Sequence, residues 1–199
     1  PGARVLEFGS SPPFLSLALA GQGYAYCGLD IGPERFATVT SRHGLDIRKV
    51  NFETERVPVD DESFDLALFN EVFEHLRINP IATMREVRRV LKPNGILLLS
   101  TPNCRSLRGL WTLFRHHRTC HIGPNLYDEY EKLERYGHMG HVREYTAREV
   151  NGFLQRIGFD TTDVVFRDYG PPARRSLLVR ALAAIENGIC LVRPNLRPL

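Results

Sequence analysis

Cysteine is scarce in this chain. The four residues Cys27, Cys104, Cys120 and Cys190 lie far apart, with no CxxC pair. That spacing offers no disulfide framework, and a reducing, cytoplasmic compartment is expected. Long hydrophobic runs are missing too: no uninterrupted apolar stretch reaches the ~18 residues of a membrane-spanning helix. No secretory signal opens the sequence. It starts almost inside a strand, with Pro1-Gly2-Ala3-Arg4-Val5-Leu6, so an upstream segment is expected. Charge of one sign is not in excess. The net charge is +3 and the pI about 8.8, short of the concentrated basic patch of a nucleic-acid binder. Glycine is sparse after the first apolar run, where Gly9-Ser10-Ser11-Pro12-Pro13-Phe14 lacks the GxGxxG of a nicotinamide-binding loop. Internal repeats and low-complexity tracts are absent.

What remains is an ordinary globular composition, 43% hydrophobic and 25% charged over 199 residues, long enough to bury a real core. Short apolar runs alternate with helical patterns, which predicts an α/β fold with a doubly wound, mostly parallel sheet flanked by helices. Strands are expected over 5–8, 24–29, 47–51, 64–69 and 96–100. Helices are expected over 14–20, 33–43 and 81–91, with a further helix starting over 72–76. Met84, Val87 and Leu91 form one stripe, and Lys92-Pro93-Asn94-Gly95 reads as a turn. From 102 to 145 the pattern loosens into a stretch rich in Arg, His and Tyr. That is too long for an idle connection, and it predicts a helical or loop insertion, or a lid, after the fifth strand. A helix over 146–157 follows, with Gly158 at its C-terminal cap, then a strand over 164–166. A last helix over 176–192 carries Leu178, Leu182, Ile185, Ile189 and Val192 on one stripe.

The chemistry gathers at the predicted strand exits. In an α/β sheet a ligand sits outside the strands' carboxyl ends. Gly9 there allows close backbone approach, and amides at the next helix start attract a carboxylate. Glu7 suits a cationic group, and Asp30 is placed to accept from a ribose diol.

Together, VLEFGSS, CGLD, Asn51-Phe52, FDLALFNEVFEHL, EVRRVLKPNGILLLSTPN and HVREYTAREVNGFLQRIGF resemble the motifs of class I S-adenosylmethionine-dependent methyltransferases. The likeness is to the small-molecule, UbiG-like group, and it covers nearly all of residues 3–166. It implies a Rossmann-like fold and one methyltransferase domain over 1–199, with a cofactor-binding core at 3–101, the insertion at 102–145 and a C-terminal part at 146–199. It also implies S-adenosyl-L-methionine as cofactor, held by Glu7, Gly9, Ser10, Asp30, Ile31, Asn51, Phe52 and Asn70. The chain departs from the family at Ser11, Pro12 and Pro13, where further glycines are usual. Prolines remove donors and fix φ, so the loop cannot grip a cofactor in the usual way.

Methyl transfer to a hydroxyl needs in-line positioning and often a base. His75 is the first candidate base and His141 the second. Glu71, Glu74 and His75, at i, i+3 and i+4, would share one helix face and form a candidate divalent metal site, although no metal is expected. His116, His117, Cys120 and His121, with His138 and His141, lack the regular paired spacing of a zinc finger. Trp111, Tyr127, Tyr130 and Tyr136 are candidates to wall an acceptor pocket. The arginines cluster at Arg105, Arg108, Arg115 and Arg118 and again at Arg174, Arg175 and Arg180, which leaves an anionic substrate or surface open. The basic flanks of the last helix suit packing in a homodimer or peripheral membrane contact.

The function expected is methyl transfer to oxygen of a small-molecule or glycan acceptor. Nucleic acid is not the expected partner. Two alternatives stand beside it: a metal-assisted RNA 2′-O-methyltransferase, and a non-catalytic interaction module on the same scaffold, which Pro12 and Pro13 motivate.

Overall fold

The computed structural model describes residues 2–105, 107–117, 125–136 and 140–166. They fall into two compact units that divide after Ser100. In the first, strand β1 (Arg4–Phe8) is buried over its last four residues. A strand apolar on both faces needs covering layers above and below, which parallel crossover connections supply. Helix α1 (Phe14–Gly21), strand β2 (Ala25–Asp30), helix α2 (Ala37–Arg42), strand β3 (Ile47–Lys49) and strand β4 (Phe64–Asn70) follow. Helix α3 (Pro80–Val90) and strand β5 (Leu91–Ser100) complete the unit.

The five strands are all parallel, in the order β3-β2-β1-β4-β5. The chain winds one way from β1 out to β3, then crosses back and winds the other way from β4. The topological switch therefore lies between β1 and β4, and ligands of such sheets bind outside the carboxyl ends at that point.

Local signals explain the flanking elements. Asn79 caps α3 by accepting from the Ala82 amide at 3.1 Å, with Pro80 in the first turn. A proline there costs no helical hydrogen bond. Met84, Val87 and Val90 form the buried stripe of α3. Arg89, near its end, donates to the carbonyls of Val57 and Val59 and to Glu86 and Asp61. One guanidinium thus anchors the long connection between β3 and β4, using its fixed fork of donors.

Four local expectations change. The helix over 33–43 splits into a 3-10 turn (Pro33–Phe36) and α2. The helix expected from Val72 is a single 3-10 turn (Phe73–His75). The turn over 92–95 is a bulge inside β5: Phe64 pairs with Leu91, but Leu66 pairs with Ile96. Asn94 absorbs that excess with φ +64°, a conformation asparagine tolerates better than most residues. Finally, residues 164–166 are not a strand, and Val164 and Val165 are exposed. A short β-branched run becomes a strand only when a neighbour satisfies its ladder.

The second unit holds helices α4 (Leu107–His116), α5 (Leu126–Tyr136) and α6 (Ala147–Ile157). A capping box between Thr146 and Glu149 starts α6, and Gly158 ends it in the left-handed region with φ +102°, the cap the sequence suggested. Glu129 is buried, and it accepts from the Gly140 amide and from Lys132. Those two hydrogen bonds hold its carboxyl below the usual carboxylate range, Lys132 contributing most. Trp111, Tyr127 and Tyr130 are exposed. No described helix is long and apolar enough to cross a membrane. The expected helix over 176–192, together with Cys120, His121 and His138, lies outside the described residues.

Candidate functional site

The loop after β1 turns at Gly9, whose φ is +73°. A Cβ there would come 2.7 Å from Val72 Cγ2, so glycine is required both by the backbone and by the close approach of the chain after β4. The Gly9 and Ser10 amides both donate to the Leu29 carbonyl, at 2.8 and 3.1 Å. The Ser11 amide donates to Asp30 Oδ2 at 3.1 Å. Pro12 and Pro13 have no amide hydrogen, and Phe14 donates to Pro12 O. Every backbone donor from residue 9 to residue 14 is therefore already committed. None of these amides is left to grip a carboxylate.

Asp30 closes β2 and is buried. Its Oδ1 accepts from the Gly32 amide at 2.8 Å, and Arg35 lies 3.5 Å away. Oδ1 thus takes the Gly32 amide and the Arg35 guanidinium, while Oδ2 has the Ser11 amide and keeps a second lone-pair direction, because an ionised carboxylate offers about four acceptor sites. Ile31, next in the chain, is exposed and apolar. Asn51 sits just past β3 in an Asx turn, its Oδ1 accepting from the Glu53 amide at 3.2 Å. Phe52 packs edge-on to Phe8 at 5.4 Å and near Phe69 at 6.2 Å, so its ring is joined to the core cluster. Asn70 is the last residue of β4, paired with Ser100. Gly9, Asp30, Asn51 and Asn70 thus all lie at strand carboxyl ends of the first unit.

Glu7 and Ser10 face a different way from the expectation. Glu7 is only 7% exposed, and its Oε2 accepts from the Tyr26 hydroxyl and from Ser16 Oγ. Burial pushes its carboxyl above the usual range. The Tyr26 and Ser16 hydrogen bonds oppose that, and the Asp30 charge adds to it. Ser10 is 1% exposed, its hydroxyl turned inward. These two side chains support the loop from beneath.

His75 ends the 3-10 turn after β4. Its side chain is 38% exposed, with Nε2 4.0 Å from Oε1 of the fully buried Glu74. Glu71 stands outside that turn at φ +53° and accepts from Ser100 Oγ at 2.7 Å. The helix face that would have aligned Glu71, Glu74 and His75 does not form. In the second unit, His141 Nδ1 lies 3.8 Å from Oε1 of buried Glu144. Cys27 offers no nucleophile: burial, with the Asp46 charge next, pushes its thiol up to about 12.

Sequence reasoning missed Tyr26, Ser16, Val72 and Glu53. Glu53 Oε1 accepts from the amides of Arg77 and Ile78, at 2.7 and 2.9 Å, and so ties the chain after β3 to the chain after His75. Nothing local marks a contact across that separation. Tyr26 did carry a signal: it shares the alternation of Gly28 and Asp30 on one face of β2.

A family model described as a methyltransferase domain matches residues 1–164. A curated relative, the ubiquinone biosynthesis O-methyltransferase of Xanthomonas campestris, is 35% identical over 108 residues, covering 52% of this chain and 44% of its own length. The chain thus spans less than half of that relative. Among solved structures, a SAM-dependent methyltransferase from Archaeoglobus fulgidus aligns with a TM-score of 0.60 at 14% identity, covering 95% of this chain and 80% of its own. The [4+2]-cyclase SpnF aligns with a TM-score of 0.58 at 22% identity, over 81% of this chain and 52% of its own. These two likenesses are likenesses of fold. A fold shared with a cyclase does not by itself decide the reaction.

Proposed function

The chain belongs to the methyltransferase family, and from that premise we propose that it moves the methyl group of S-adenosylmethionine to an oxygen of a small-molecule acceptor. Asp30 carries this reading. It is a buried carboxylate at the end of β2, one strand from the switch point, with acceptor capacity left on Oδ2 and only the long Arg35 contact beside the Gly32 amide on Oδ1. A ribose hydroxyl needs such an acceptor. Ile31 and Asn51 stand at the neighbouring strand ends, one apolar and one polar, and suit the two characters of an adenine ring. Gly9 allows close approach, and Asn70 supplies a polar group at the end of β4. The residues present therefore fit the cofactor, with one restriction. Its carboxylate receives no loop amide from residues 9–14, since those donors are bound within the protein.

S-adenosylmethionine, when bound, supplies a methyl group already activated on a sulfonium. The work of this chain is to orient the acceptor in line and to take the hydroxyl proton. His75 is suited to the second task. It is partly exposed, at the end of the turn that follows β4, and has buried Glu74 beside it to favour the imidazolium once the proton arrives. His141, beside buried Glu144, is the other residue with this chemistry. The O-methyltransferase relative supports oxygen as the receiving atom and a small molecule as the acceptor. It favours neither RNA methylation nor a non-catalytic module.

The test is to incubate the protein with methyl-labelled S-adenosylmethionine and panels of soluble phenols and sugars, and to locate the label by NMR. Label is expected on an acceptor oxygen. Label on nitrogen or carbon, or none transferred to either panel while the cofactor binds, would contradict the reading.

A further inference from the structure

We propose that Tyr26 is a positioning residue for the cofactor loop, its phenol bound to buried Glu7 and packed beside Ser10 over the bare Cα of Gly28. This rests on the reading above, in which residues 9–11 border the cofactor. The loop lacks the glycines that would let it fold closely on itself, and its prolines contribute no donors. Something else must fix its shape, and the structure places a side-chain network directly beneath it.

Gly28 makes the network possible. Tyr26 and Gly28 share a face of β2, and two residues along a strand span roughly 7 Å, about the reach of a tyrosine laid along it. A Cβ on Gly28 would meet the Tyr26 hydroxyl at 2.5 Å and Ser10 Oγ at 2.7 Å. Both hydroxyls thus occupy the space that any other residue would fill. The Tyr26 hydroxyl reaches Glu7 Oε2 and lies 2.7 Å from Ser16 Oγ. Ser10 Oγ lies over the same Cα and donates to the Leu29 carbonyl at 3.4 Å. Glu7 faces Gly28 directly across the β1–β2 ladder, so the carboxylate and the phenol meet over one residue.

The network acts on the site through the backbone. Ser10 rests beside the Tyr26 phenol over Gly28, with its amide and its hydroxyl both donating to Leu29 O. Ser11 then presents its amide to Asp30 Oδ2 at 3.1 Å. Displacing Ser10 would move the donor that orients the carboxylate expected to hold the ribose. The phenol remains a donor throughout, because burial, and after it the Glu7 charge, push its pKa well above the usual range.

Glu7 makes the arrangement sensitive to pH. The groups that face it are Tyr26 from β2 and Ser16 from α1, with the Asp30 charge nearby and apolar Leu68 opposite on β4. Its ionised form needs the Tyr26 donor. Without that donor, the carboxyl takes up its proton at a higher pH than in the native protein.

Calorimetric titration with S-adenosylhomocysteine across a pH series, on native protein, Tyr26→Phe and Ser10→Ala, tests this, with a thermal melt of each. Tyr26→Phe is expected to stay folded, to bind about tenfold more weakly, and to lose affinity at higher pH than the native protein on acidification. Ser10→Ala is expected to show a smaller loss of affinity. Native affinity and an unshifted pH profile in Tyr26→Phe would overturn the proposal. Should Tyr26→Phe fail to fold, native affinity in Ser10→Ala would overturn it instead. Failure of the native protein to bind at all would remove the cofactor reading itself, and the role of Tyr26 with it.

Discussion

Replacing His75 by alanine is expected to lower kcat by about 10²–10⁴-fold, the range over which a positioned general base contributes, while leaving affinity for S-adenosylhomocysteine little changed. The base acts only on the acceptor proton, and the cofactor residues at the ends of β1, β2 and β3 do not depend on it. The pH profile separates this role from a structural one. An imidazole base must be neutral to accept a proton, so the native rate should rise with pH as the imidazole loses its proton. The alanine variant should lose that limb. Glu74 is fully buried with its carboxylate 4.0 Å from the imidazole, so Glu74→Gln should keep the shape of the site and move the limb to lower pH, by removing the charge that favours the imidazolium. Unchanged kcat in His75→Ala would transfer the role to His141, whose replacement should then produce the same loss.

Asp30→Ala is expected to weaken S-adenosylhomocysteine binding by roughly 100-fold, since hydrogen bonds to a charged group contribute about 1.5–3 kcal/mol each. The substitution also leaves the Ser11 and Gly32 amides without their acceptor, which should cost about 1–3 kcal/mol of stability. Both quantities can be measured on the same sample, by calorimetry and by chemical denaturation. Asp30→Asn keeps one acceptor oxygen and the side-chain shape, and should lose less of each. Full affinity in Asp30→Ala would mean that the ribose is held elsewhere, and would remove the observation on which the cofactor assignment chiefly rests.

The parts of the fold legible in the sequence are those where tertiary context and local pattern agree. VLEF and FDLALF read as strands because a parallel strand buried on both faces is a continuous apolar run. The glycine at 158 marked the end of α6, because caps are local chemistry. The strand exits were legible for the same reason: Gly9 and Asp30 follow directly from where apolar runs stop, while Asn70 came with the family resemblance. The misreadings share a different cause. Whether 33–43 is one helix or two pieces, and whether 92–95 is a turn or a bulge, depends on neighbours that pull the chain into register. Glu53 and the amides of Arg77 and Ile78 lie far apart in the chain, and no spacing announces them. The loop was read correctly as unusual at Pro12 and Pro13. Its replacement support could not be read from one segment, because Glu7, Ser16 and Tyr26 come from three separate elements.

The most direct test of the account is a calorimetric titration of the folded, native protein with S-adenosylhomocysteine, paired with a thermal melt with and without the ligand. The account predicts saturable binding at one site per chain, with micromolar affinity and a matching rise in Tm. A protein that melts cooperatively yet gives neither binding heat nor a shift in Tm would contradict it. The carboxyl ends of β1 and β2 would then belong to a methyltransferase scaffold without its cofactor.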